Sequence, residues 1–258
     1  MRRNRESATV RFRECQTATV TDERTERLFG VPLYSVADAA RHIDVSRSTF
    51  DTWVRGYERR RDTGVATLGA PVVTAVPAPR GQPCVPFIGL AEGFVLAGFR
   101  AAGVPLQRIR PAVGALRAEL GLEHVLASES LYTDGAEVLY DFAERRGDSP
   151  EAEAARELVA PRSGQRVFTP VVQRYLQRIT FEDGYARLVE LPRYERARVV
   201  VDPDRSFGVP IFASGAARVG VVLGRFKRGE PLDELSEEFG VPADELLDAI
   251  RVHTDTAA

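Results

Sequence analysis

The chain is poor in the residues that most readily announce a chemical site. Its 258 residues include two cysteines, three histidines, one methionine, one tryptophan and a single lysine, Lys227. Cys15 and Cys84 lie far apart and form no Cys-x-x-Cys, so neither a disulfide framework nor a zinc site can be read from their spacing. His42, His124 and His253 are widely separated, and none sits in a His-Glu-x-x-His run or beside a nucleophile motif. The glycine-rich phosphate loops of nucleotide enzymes are absent too. Acid pairs such as Asp141 with Glu144, or Glu182 with Asp183, read as helix-start or turn residues. These absences point away from catalysis and imply no cofactor and no metal. No apolar run approaches the ~20 residues of a membrane span. The basic start, Met1-Arg2-Arg3-Asn4-Arg5, is followed by no apolar stretch, so no secretory signal and a cytoplasmic location are expected.

What remains is ordinary globular composition, 44% hydrophobic and 28% charged, in a length that suits about two domains. The net charge of −2 hides an asymmetry. Residues 1–61 carry 13 arginines against nine acids, whereas residues 229–258 carry Arg251 against nine acids. A basic head suits a polyanion and an acidic tail suits a basic partner.

Residues 1–30 show no clean period and read as a mobile arm. Residues 34–57 form two short helical patterns. Ser35 can cap the first, with Asp38 reaching back, and Val36, Ala39, Ala40 and Ile43 make its apolar face. Ser46 caps the second, whose Phe50 and Trp53 point inward. Arg47, Ser48, Thr49 and Arg55 are left facing out, where a recognition helix meets base edges and phosphates. Arg59, Arg60 and Arg61 follow and can neutralise phosphates. Two extended runs, 72–76 and 84–87, flank a turn at 78–82 and predict a β-hairpin with Arg80 and Gln82 at its tip.

Helices are predicted from Leu90 to Ala102 and from Leu106 to Leu120, each stopped by a glycine. Residues 131–142 read as strand after a Thr133-Asp134-Gly135 turn. A longer hairpin is predicted over 171–191 around Asp183-Gly184, the pair that favours a type I′ turn. Phe207 to Phe212 reads as extended. Three helices then follow, Val219 to Arg228, Leu232 to Phe239 and Ala243 to Val252. No 20–50-residue repeat is visible.

The 34–57 pair resembles the DNA-binding helices of MerR-type winged helix–turn–helix proteins, with the 72–87 hairpin where a wing belongs. The long dimerising helix of those regulators is not visible. The run Phe207-Gly208-Val209-Pro210-Ile211-Phe212, then Arg218-Val219, then Arg228-Gly229-Glu230-Pro231-Leu232-Asp233-Glu234-Leu235, then Phe239-Gly240-Val241-Pro242, is similar to the small bacterial family DUF433. That family commonly has Ser where this chain has Pro231. Over roughly 34–252 the whole chain resembles the VapB45-type antitoxins.

The resemblance implies an operator-binding head and a tail that covers a PIN-like ribonuclease toxin. The candidate DNA-binding residues are Ser46, Arg47, Ser48, Thr49, Arg55, Arg59, Arg60, Arg61, Arg80 and Gln82. The candidate partner-binding acids are Glu230, Asp233, Glu234, Glu237 and Glu238. The expected fold is mixed α/β and mainly α. It comprises an arm (1–30), a MerR-like winged helix–turn–helix domain (31–128), a strand-rich connector (129–201) and a small DUF433-like helical domain (202–258). A homodimer, or a hetero-oligomer with the toxin, is expected. Two alternatives stay open: a regulator without a toxin that senses a ligand in 90–142, and a scaffold that never touches DNA.

Overall fold

The computed structural model describes residues 24–61, 64–162 and 165–254. Most of the expected arm lies outside that range. Its last part, 24–29, is helical (α1) and docked rather than free. Leu28 is buried, Arg24 pairs with Glu182 and Asp183 at 2.8 and 2.9 Å, and Arg27 pairs with Asp204 at 3.1 Å.

The serine caps start the next two helices as the sequence requires. Ser35 accepts from the Asp38 N–H and opens α2 (Val36–His42); Ser46 accepts from the Thr49 N–H and opens α3 (Arg47–Arg55). Ala39 and Ala40 are buried, which lets α3 close on α2 through Phe50 and Trp53. Asp44, at φ +60°, turns the chain between them.

The wing is not where the sequence reading put it. Strands β1 (Tyr57–Arg61) and β2 (Gly64–Gly69) form the antiparallel hairpin directly after α3. The 72–87 segment contains no strand. Pro77, Pro79 and Pro83 have no N–H to donate to a ladder. One bond still links its two runs, from the Val76 N–H to the Cys84 carbonyl at 2.8 Å, but Val72 and Val73 donate to the Trp53 carbonyl, and Cys84 and Val85 to that of Tyr34.

Helix α4 (Phe87–Ala101) is buried from Phe87 to Phe99 and runs through the middle of the core. Around it lie α5 (Leu106–Leu120), α6 (Glu129–Arg146) and α7 (Pro150–Leu158). Helix α6 overturns the strand expected at 131–142. Ser128 caps it by accepting from the Leu131 N–H, and Leu131, Gly135, Leu139 and Phe142 recur on its buried face every three or four residues. Gly135 is no turn residue; a Cβ there would lie 2.8 Å from Leu131 Cδ1 and 3.1 Å from Phe168 Cζ.

The 129–201 region therefore holds more helix than strand. Strands β3 (Val159–Arg162) and β4 (Gln165–Phe168) pair antiparallel. Helix α8 (Pro170–Leu176) replaces the first half of the long hairpin arm expected from 171, because Pro170 starts a helix at its first position and Val172 and Leu176 bury one face. The hairpin itself survives as β5 (Ile179–Glu182) and β6 (Tyr185–Glu190), turning at Asp183 and Gly184 with φ +53° and +82°. With β7 (Val199–Val201) and β8 (Ile211–Phe212) they form an antiparallel sheet in sequential order. The extended reading of 207–212 holds only for its end, since Ser206–Gly208 is a tight turn.

The three tail helices are α9 (Val219–Lys227), α10 (Leu232–Phe239) and α11 (Ala243–Thr254). One continuous hydrophobic core extends from Leu28 to Ala249. The fold is mixed α/β and mainly α. No helix among the described residues is long and apolar enough to cross a membrane.

Candidate nucleic-acid interface

Helix α3 divides cleanly between core and solvent. Phe50 and Trp53 face inward with ring centroids 5.9 Å apart, while Ser46, Arg47, Ser48 and Arg55 are exposed. The exposed groups are not equally free. The Ser46 hydroxyl donates to Thr49 Oγ1 at 2.7 Å and caps the Thr49 N–H at 3.1 Å, so both hydroxyls maintain the helix start. Arg55 Nε donates to Asp51 Oδ1 at 2.7 Å. Arg47 has no ion pair among the described residues. Of the α3 arginines, Arg47 is the one with its charge uncommitted there. On α2, burial pushes the His42 imidazole down to about 4, which leaves it neutral at pH 7.

The proline-rich loop lies against this exposed face. Arg47, Ser48, Asp51 and Arg55 form one wall of a groove of about 970 Å³, and residues 75–82 form the other. Arg80 and Gln82 stand at the loop tip, where the Gln82 N–H donates to the Pro79 carbonyl and Gly81 takes φ +86°. A positive φ at that third turn position is a place for glycine. The structure therefore brings Arg80 and Gln82 to the α3 surface although the loop is not a hairpin.

Arg59, Arg60 and Arg61 belong to β1, opposite Ala66, Val65 and Gly64 of β2. They continue a wing, not the helix. The base of that wing is tightly packed. Gly56 takes φ +71°, and a Cβ there would sit 2.2 Å from the Gly69 carbonyl oxygen. A Cβ at Gly69 would sit 2.3 Å from Arg110 Nη1, which reaches from α5 to donate to the Ala70 carbonyl at 2.6 Å. Arg110 thus clamps the exit of β2 to the helical body. Sequence reasoning missed it, because an arginine on an otherwise amphipathic helix gives no sign of its partner. Replacing Arg110 by Ala is expected to speed tryptic cleavage after Arg59–Arg61 severalfold, with little change in the melting of the whole chain. An unchanged digestion rate would show that the clamp does not hold the wing.

The acidic tail residues lie elsewhere and differ among themselves. Glu230 accepts from Arg225 Nε, and Glu238 accepts from Arg225 Nη2 at 2.7 Å. Arg225 also lies over the Phe239 ring at 5.1 Å. These two acids are engaged within the tail, and the Arg225 guanidinium holds the Glu238 carboxyl below its ordinary range. Asp233, Glu234 and Glu237 remain exposed on α10. Asp233 and Glu234 sit in its first turn, where the helix dipole favours them. No cluster of His, Cys, Asp or Glu among the described residues is arranged to hold a metal ion.

Known proteins share this architecture. Residues 32–113 match a family model described as "Putative DNA-binding HTH domain", a span that includes α2, α3, the wing, α4 and part of α5. A curated protein of Mycobacterium tuberculosis (strain ATCC 25618 / H37Rv), "Putative antitoxin VapB45", is 47% identical over 232 residues, which cover 89% of this chain and 97% of that protein. The X-ray crystal structure of Rv2018 from Mycobacterium tuberculosis superposes with a TM-score of 0.77 at 44% identity, covering 86% of this chain and 99% of the other.

Proposed function

Because this chain belongs to the VapB45 antitoxin family, we propose that it is the antitoxin of a type II toxin–antitoxin pair: it binds its own operator through the head and blocks a PIN-like ribonuclease through the rest of the chain. The observation that supports the DNA half is the meeting of Arg47, Ser48 and Arg55 with Arg80 and Gln82 around one groove, beside a wing that carries Arg59, Arg60 and Arg61. The exposed side of α3 enters the major groove, with Arg47 and Ser48 at its start. The wing and the loop tip hold phosphates on either side. A homodimer would place two such heads on half-sites one helical turn apart.

For the toxin, Asp233, Glu234 and Glu237 supply a negative field that steers a basic nuclease surface toward α10. Glu230 and Glu238 contribute less, since Arg225 pairs with both and Arg228 lies 3.7 Å from Glu230. Inhibition is steric and needs neither cofactor nor catalytic group. A regulator without a toxin would instead use a pocket of about 380 Å³ between α6, β4 and α8, lined by Tyr132, Glu137, Arg166 and Gln173. A ligand that changes operator affinity would favour that reading.

The DNA half is tested by anisotropy titration of a labelled duplex carrying the promoter. Affinity is expected to fall roughly a thousandfold between about 50 and 200 mM salt. Arg47→Ala and Arg80→Ala should each weaken it about tenfold or more. Arg55→Ala should do less, because Asp51 already holds that guanidinium. Salt-independent binding, or equal losses at Arg47 and Arg55, would contradict this assignment of the interface.

A further inference from the structure

Three successive residues, Ser206, Phe207 and Gly208, take φ of +53°, +54° and +70°. Glycine adopts this region freely, whereas a phenylalanine there is strained. Strain in an aromatic residue is normally offset by burial of its ring. Here the ring gains almost nothing, because Phe207 is 76% exposed.

The turn is nevertheless fixed from several sides. The Arg205 and Gly208 N–H groups donate to the Asp202 carbonyl at 3.0 and 3.1 Å, and the Val209 N–H donates to the Ser206 carbonyl at 3.1 Å. The Asp202 carboxylate is itself buried, accepting from the Asp204 N–H at 2.9 Å and from Arg187 Nη1 at 3.0 Å. From the head, the Tyr34 hydroxyl donates to the Gly208 carbonyl at 2.9 Å. A Cβ at Gly208 would lie 2.3 Å from that hydroxyl oxygen, so no side chain fits there. Many contacts hold a conformation whose one visible result is a phenyl ring presented to solvent.

Val209 beside it is also exposed, and the Arg205 guanidinium has no ion pair among the described residues. An aromatic, an arginine and an aliphatic side chain on one rigid turn make the composition of an interface hot spot. We propose that the 205–209 turn anchors the protein partner of this chain, with Phe207 filling an apolar socket and Arg205 meeting a carboxylate at its rim.

The occupant is a different protein, the ribonuclease of the reading above, on which this inference rests. A second copy could take the knob only by a reciprocal exchange across a two-fold axis, or by a head-to-tail contact that builds open-ended assemblies unless its rotation happens to close. A knob that enters a distinct partner closes at once. The unpaired arginine also calls for an acidic rim, whereas α10 suits a basic patch. The partner would thus be held at Phe207 and steered by α10, and Tyr34 ties the anchor to the DNA-binding head.

The test uses the full chain and the ribonuclease proposed as its partner, with affinity measured by biolayer interferometry and self-association by sedimentation. Phe207→Gly relieves the strain, so its melting temperature should stay level or rise, while affinity falls about thirtyfold or more. Arg205→Ala should lose less than Phe207→Gly. A wild-type complex that Phe207→Gly leaves at full affinity would overturn the anchor and leave the antitoxin reading standing. If the wild-type chain fails to bind the nuclease, both fall. A variant that dissolves a homodimer but keeps the nuclease would assign the knob to a second copy and overturn the choice of partner.

Discussion

Asp248→Ala is expected to destabilise the fold by about 3 kcal/mol or more, a large effect for a residue that the composition counts simply as one of the tail acids. Asp248 is 2% exposed, and its Oδ2 accepts from the N–H groups of Glu195, Arg196 and Ala197 at 2.9, 2.8 and 2.9 Å. Alanine would leave three donors of the β6–β7 connection without their acceptor and detach α11 from the sheet. Asn, which keeps an oxygen but no charge, should cost about half as much. Burial by itself would push this carboxyl up; the three N–H donors outweigh it and hold it below its ordinary value of 3.8. The carboxyl's contribution is therefore complete above that value and is lost as pH falls through the lower, folded one. Urea unfolding followed by circular dichroism, at pH 7 and again at decreasing pH, measures both effects. A loss below about 1 kcal/mol for the alanine variant would mean that the three bonds do not hold the tail.

Trp53→Ala should cost a further large amount at a distant place, about 3–5 kcal/mol, and abolish the proposed duplex binding with it. Trp53 is fully buried on the inner side of α3, and its carbonyl receives the Val72 and Val73 N–H groups at 2.9 and 3.2 Å. The packing has no slack. A Cβ on Gly93 of α4 would already lie 2.5 Å from Phe50 Cε2. The indole N–H meets no acceptor among the described residues, so Trp53→Phe loses volume but no hydrogen bond and should be milder than alanine. Thermal melts of the two variants, with duplex binding measured at the same temperature, give the comparison. Equal losses for Phe and Ala would indicate an unrecognised polar role for the indole.

The contrast between these two residues shows what the sequence made legible. Trp53 follows from periodicity, because a serine cap, small residues on one helix and aromatics on the next specify a helix pair locally. The tail helices were legible in the same way, from glycines at their ends, and the β5–β6 turn from Asp-Gly. Asp248 was not, because its partners are backbone groups about fifty positions away. Helix α6 was hidden by Thr133-Asp134-Gly135, which has turn chemistry but whose glycine serves close packing against Leu131 and Phe168. The wing was hidden by its own arginines. Tyr57-Glu58-Arg59-Arg60-Arg61 has no apolar alternation, and the usable signal was the short run Val65-Ala66-Thr67-Leu68 bracketed by Gly64 and Gly69.

The candidate site divides along the same line. The outward face of α3 could be read from residue type and spacing. That Arg47 is uncommitted while Arg55 is tied, or that Arg225 pairs with both Glu230 and Glu238, depends on which side chains meet in space. Phe207 was legible only as the first residue of the DUF433-like run, with no sign that its ring is exposed. Its meaning lies in a backbone conformation that only three dimensions reveal.

The central claim is that one chain both reads DNA and silences a nuclease. Its most direct test is an RNA-cleavage assay of the ribonuclease proposed as partner, titrated with the purified full-length chain and followed by a binding assay of the mixture on the proposed operator duplex. Cleavage should stop near a stoichiometric ratio while the complex still binds the duplex. Undiminished cleavage at a large excess of the chain would contradict the account.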